Sequence, residues 1–133
     1  MKKRLCWLIG PAAALVLELL PWGAVLNFMR PATDGSIGRF RETYSYFSLM
    51  PMGYGNFGPI LTAILTCLLL PVTALYVIRG TAPWKKAMCA IAALAMLASL
   101  CPLLLGFSYY SFIALLISVS LGIQWGLCIL QSK

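Results

Sequence analysis

The stretch VLELLPWGAVLNF (residues 16–28) sets a carboxylate, Glu18, and a proline, Pro21, inside an apolar run that begins at Leu5. Read as one helix, Leu5–Phe28 is long enough to cross the hydrocarbon core of a bilayer, which takes about 20 residues. Three more stretches qualify: Phe57–Ile78, Ala87–Leu105 and Phe112–Leu130. Every Lys and Arg lies outside the four spans. The 133-residue chain is 62% hydrophobic and 10% charged, with a mean hydropathy of +0.92. A soluble domain of this size carries about 25% charged residues. The reading is an all-α membrane protein: one four-helix transmembrane domain over residues 1–133, with a long, structured outer loop (29–56) between the first two helices.

The net charge of +7 fixes the orientation. Lys2, Lys3, Arg4, Arg79, Lys85, Lys86 and Lys133 all fall on one side of four alternating helices. Arg30, Arg39 and Arg41 fall on the other, with Asp34 and Glu42 nearly balancing them. An excess of Lys and Arg marks the cytoplasmic side, so both termini are expected inside, in the cell membrane of a bacterium. These cations flank lipid headgroups and do not form an aromatic-studded basic face, which argues against nucleic acid. A cleaved signal peptide is disfavoured, because the first apolar run outlasts the usual ~7–15 residues and no small-residue cleavage site follows it.

The chain has no His, and its five cysteines lie in the spans without a CxxC pair. Neither a metal site nor a cofactor is expected. With Glu18, Asp34 and Glu42 as the only acids, no nucleophile–base–orienter set can be assembled, so an enzyme is not expected either.

Packing signals lie on the last two helices. Ala92, Ala95 and Ser99 share one face of the third helix with Cys89, and Ala114, Ser118, Gly122 and Gly126 recur every four residues on the fourth. Small residues permit the close backbone approach that drives helix association in lipid. The two faces are expected to meet within the chain; a contact with a second copy or with a membrane partner is the alternative. Proline interrupts three spans, at Pro11 and Pro21, at Pro71 and at Pro102, where kinks are expected. In the outer loop, TDGS (33–36) signals a turn, and RFRETYSYF (39–47) alternates loosely enough for a strand or hairpin.

Glu18 is the candidate polar site. A carboxylate at the centre of a membrane helix costs about 3 kcal/mol, and no Lys or Arg is embedded to pair with it. Trp22, four residues on in a continuous helix, is a candidate donor, and Thr66 and Gln124 are candidate partners across the bundle. Three roles compete: a hydrogen-bonded tie between helices, a titrating proton or cation site, and a carboxylate near a wet outer vestibule opened by a helix break at Pro21-Trp22-Gly23. Small multidrug resistance exporters resemble the chain in helix count and in a first-helix glutamate, but their short loops differ from this one. Gly53-Tyr54-Gly55 matches the core of a potassium-channel filter over three residues only, without the preceding threonine. The expected function is a structural or accessory membrane subunit. A small proton- or cation-coupled transporter built on Glu18 is the alternative, and a pore at Gly53-Tyr54-Gly55 a distant third.

Overall fold

A computed structural model describes residues 2–48 and 57–131; Gly53-Tyr54-Gly55 lies outside them. A helical run opens the chain as α1 (Lys2–Leu5), a 3-10 turn (Cys6–Leu8) and α2 (Ile9–Leu19). A hairpin follows, β1 (Ala24–Pro31) and β2 (Ile37–Tyr44), and then α3 (Gly58–Arg79), α4 (Ala82–Leu105) and α5 (Phe112–Leu130). The last three helices, of 22, 24 and 19 residues, are each long and apolar enough to cross a membrane. The N-terminal run is not, because its apolar helix stops at Leu19.

The expected first span, Leu5–Phe28, is therefore corrected. The proline ring of Pro21 clashes with a helical backbone at the residue before it. Leu20 accordingly turns extended, with ψ 139°. The apolar residues beyond it enter a strand, where Val25 and the aromatic Phe28 are at home. Ala24↔Tyr44 through Pro31↔Ile37 pair antiparallel, so β1 rises from inside the expected span and β2 from the alternating loop segment. Burial fades along β1: Ala24, Val25 and Leu26 are buried, whereas Met29, Arg30 and Pro31 are exposed. The base of the hairpin is thus embedded among the helices and its tip projects. Non-helical backbone is tolerated at such depth only when protein buries and pairs it, as happens here.

Gly35, at φ 82°, closes the hairpin tip. Asp34 Oδ1 accepts from the Ser36 hydroxyl at 2.7 Å and from its backbone N–H at 3.1 Å. At the other end of the molecule α3 finishes at Gly80, which takes the left-handed conformation (φ 66°) and donates its N–H to the Tyr76 carbonyl at 2.8 Å. The Arg4 guanidinium lies against Gly80, a favourable place for a cation because the C-terminus of a helix carries partial negative charge. Trp7 meets Tyr76 edge-to-face at 6.0 Å, and Arg79 lies over the Trp84 ring at 5.9 Å.

Small and hydroxylated side chains share the bundle interior with Leu69, Met88, Ile117 and Leu121. Thr62, Thr66, Thr73, Ala92, Ala95, Ala98, Ser99, Ala114 and Ser118 are buried, while Ile64, Leu68, Leu94, Leu97, Val119 and Ile123 face outward. Small and hydroxylated residues at helix contacts permit the close approach that helices in lipid rely on. Two of the threonine hydroxyls return to their own helix, Thr62 to the Gly58 carbonyl at 2.8 Å and Thr73 to that of Leu69 at 2.7 Å. α3 packs on α4, α4 on α5, and α2 fits between α5 and α3. Helix runs through Pro71 and Pro102, and Pro102 is buried against Gly58.

Three outcomes are expected. Gly80→Ala should destabilise the protein by about 1–2 kcal/mol in thermal unfolding in micelles, since alanine pays a steric penalty in the left-handed region. Gly126→Ala, with no atom within 4 Å of the added carbon, should leave the midpoint unchanged or raise it. At the tip, the Ser36 hydroxyl and then its N–H hold the Asp34 carboxyl below its ordinary value of 3.8. A depressed carboxylate supports the turn above that value and releases it as pH falls through the lower folded one. Carbon-detected NMR of the Asp34 carboxyl should show its titration moving up in Ser36→Ala.

Candidate functional site

Glu18 sits in the last turn of α2, where the final carbonyls of a helix lack intrahelical partners. It is fully buried. Its backbone carbonyl accepts the Tyr46 N–H at 3.0 Å, so the segment leaving β2 caps the helix that Pro21 ended. Its side chain points to α3, where Thr66 Oγ1 donates to Oε1 at 2.7 Å. One residue therefore ties the N-terminal helix to α3 through its side chain and to the outer segment through its main chain. Thr66 lies eight residues into α3, about 12 Å below the end of that helix from which the hairpin projects.

Tyr46 covers this site. It is 1% exposed, and its ring lies on Gly23, where an added Cβ would stand 2.9 Å from it. Glycine is required there by the close approach. The Gly23 carbonyl accepts from Ser111 Oγ at 2.6 Å, while the same oxygen caps α5 by accepting the Ala114 N–H at 3.0 Å. A chain of hydroxyls continues inward: Tyr110 and Ser118 are 2.6 Å apart, and Ser118 and Ser99 2.8 Å. Ser99 in turn donates to the Met96 carbonyl at 2.7 Å. Burial pushes the Tyr46 phenol above its usual range, with the charges of Tyr110 and Glu18 adding to the effect, so Tyr46 is a neutral donor.

Two buried polar atoms at this site make no hydrogen bond, Glu18 Oε2 and the Tyr46 hydroxyl. An acceptor and a donor thus stand unsatisfied in neighbouring residues of one sealed interior. Each carries the desolvation cost of an unmade bond, about 1–3 kcal/mol.

Of the residues singled out in the sequence, Glu18 and Thr66 are brought together and two are not. Trp22 lies beyond the helix end and is 59% exposed, so its expected i,i+4 geometry with Glu18 does not form. Gln124 is buried elsewhere: its amide donates to Met88 Sδ at 3.7 Å, and its Oε1 rests on Gly10. Ala92, Ala95, Ser99 and Ser118 are buried and the two serines join α4 to α5, whereas Gly122 meets only Met96 and Gly126 faces open space. Cys128 is buried and Cys89 half-buried, while Cys6, Cys67 and Cys101 are exposed on the outward face. Among the described residues no three His, Cys, Asp or Glu side chains cluster as metal ligands would.

Tyr46, Gly23 and Ser111 are the contributors that sequence reasoning missed. Ser111 carried a signal, a serine directly before an apolar helix. Tyr46 carried none, because its partner is the Glu18 carbonyl, left open where α2 ends far along the chain. No protein-family model, curated protein or solved structure matches the chain.

Thr66→Val should destabilise the protein by about 1–3 kcal/mol, because it strips the remaining partner from a buried carboxyl. Glu18→Gln retains an acceptor for Thr66 and cannot ionise in the buried site, so its thermal midpoint should match or exceed that of the unaltered protein. A loss in Glu18→Gln as large as that in Thr66→Val would mean that an ionised Glu18, as well as the Thr66 bond, supports the site.

Proposed function

We propose that the chain is an accessory subunit of a cell membrane: a multi-pass scaffold that holds an outer hairpin in a fixed pose for a membrane protein partner or a second copy of itself. In this reading the N-terminal helix and the embedded base of the hairpin cross together as the first of four passes, and both termini are cytoplasmic. The topology rests on charge. Arg4, Arg79, Lys85 and Lys86 gather at one end of the bundle, since Arg4 touches Gly80 and Lys85 Nζ donates to the Gln131 carbonyl. Arg30, Arg39 and Arg41 stand on the hairpin at the other. The basic end is the inner one by the positive-inside rule.

The observation that carries the proposal is the full burial of Glu18 between α2, α3 and the Tyr46 segment. A carboxyl used in this way joins three parts of the chain and offers no face to a passing solute. The hairpin it steadies exposes Met29, Ile37 and Phe40, and among the described residues no third strand pairs with it. A specific observation also favours a second reading. Glu18 Oε2, buried without a hydrogen bond, is the kind of intramembrane acceptor on which a small proton- or cation-coupled transporter would rely.

One pair of variants separates the two. Native electrophoresis of mildly solubilised membranes should show the protein in an assembly larger than itself. Met29→Ser/Phe40→Ser should release it as a single chain, and Glu18→Gln should leave the assembly intact. A single-chain species in the unaltered protein, together with a vesicle proton flux abolished by Glu18→Gln, would establish the transporter instead.

A further inference from the structure

We propose that the groove between α4 and α5 at the basic end is a binding site for one anionic phospholipid, its phosphodiester held by Lys85 and Lys86 and its upper acyl chains lying along the apolar walls. The groove encloses about 450 Å³ and opens sideways from the bundle, between Lys85, Lys86, Cys89, Ala90, Ala93 and Trp125. Lys86, Ala90 and Ala93 follow one another on a single face of α4, so two small side chains lie directly beneath a cation. From Lys86 to Ala93 the helix descends about 10 Å, the depth of a headgroup and the first carbons of its chains. Trp125 forms the opposite wall, with the amphipathic ring that membrane interfaces favour.

The mouth of the groove is preorganised. Lys85 Nζ donates to the Gln131 carbonyl, which holds its ammonium across the gap between α4 and the end of α5. An ammonium has three N–H donors, so two remain for a ligand. Charge decides what that ligand is. Arg4, Arg79, Lys85 and Lys86 lie at this end, whereas the chain's three acids are elsewhere, Glu18 in the interior and Asp34 and Glu42 on the hairpin. A second copy docked groove to groove would set lysines against lysines. A soluble phosphate would leave the apolar walls in water. An anionic lipid neutralises the cations and covers the walls at once, which is how basic clefts between membrane helices take phospholipid headgroups.

The test is native mass spectrometry of the full chain in detergent micelles holding equal amounts of dioleoyl phosphatidylglycerol and dioleoyl phosphatidylcholine. The expected result is one retained phosphatidylglycerol. Lys85→Gln/Lys86→Gln should lower its preference over phosphatidylcholine by about tenfold or more, given the attraction of each lysine to an anionic surface. Ala90→Phe keeps both charges but fills the groove, and should lose the lipid to the same extent. Ala93→Phe blocks the same groove and replaces it if Ala90→Phe fails to fold. No headgroup preference in the unaltered protein would overturn the proposal. So would a lipid retained by both blocking variants, since attraction would then be a property of the basic surface and not of the groove.

Discussion

The structure depends on how the end of α2 is satisfied inside an apolar interior. A helix that stops within a bundle leaves carbonyls that neither water nor a next turn can reach, and each unpaired one is costly there. Pro21 forces the stop, and the chain answers with two bonds at one residue, Tyr46 N–H to the Glu18 carbonyl and Thr66 to its carboxyl. The segment between Glu18 and Tyr46 holds the hairpin. Its pose, the burial of its base and the position of Tyr46 over Gly23 all follow from where α2 ends. Ser111 extends the same logic to α5, closing the Gly23 carbonyl with the hydroxyl that caps its own helix.

The remainder of the bundle is held by close approach and by short polar contacts. Without a hydrophobic drive between helices in lipid, association rests on packing and on hydrogen bonds between them. Pro102 against Gly58 and Ser99 against Ser118 supply those contacts for α3–α4 and α4–α5. The α4–α5 contact is tight from Ser99 to Ala114 and opens toward the basic end, where Gly126 meets nothing and the groove beside Trp125 begins. The same pair of helices thus serves as a seam at one end and a cleft at the other. The accessory role and the lipid site occupy opposite ends and stand on separate observations.

What the sequence by itself determined is whatever follows from composition and from charge. Three long apolar runs free of Lys and Arg admit helices across a membrane and little else, and α3, α4 and α5 fall within a few residues of the runs that predicted them. The small face of α5 was visible as a four-residue recurrence, and that of α4 as Cys89, Ala92, Ala95 and Ser99 on one side of the helix. Glu18 stood out because a carboxyl in such a run needs a partner, and Thr66 was among the few offered. Residues 16–28 were a different case. A continuous apolar run fits a buried helix and a buried strand equally well. Only the tertiary structure chose between them, since β1 exists because β2 returns to pair with it. Trp22 was misplaced and Tyr46 missed for the same reason. Spacing along one helix predicts neighbours only while the helix lasts, and the group that replaces it comes from wherever the fold brings a spare N–H.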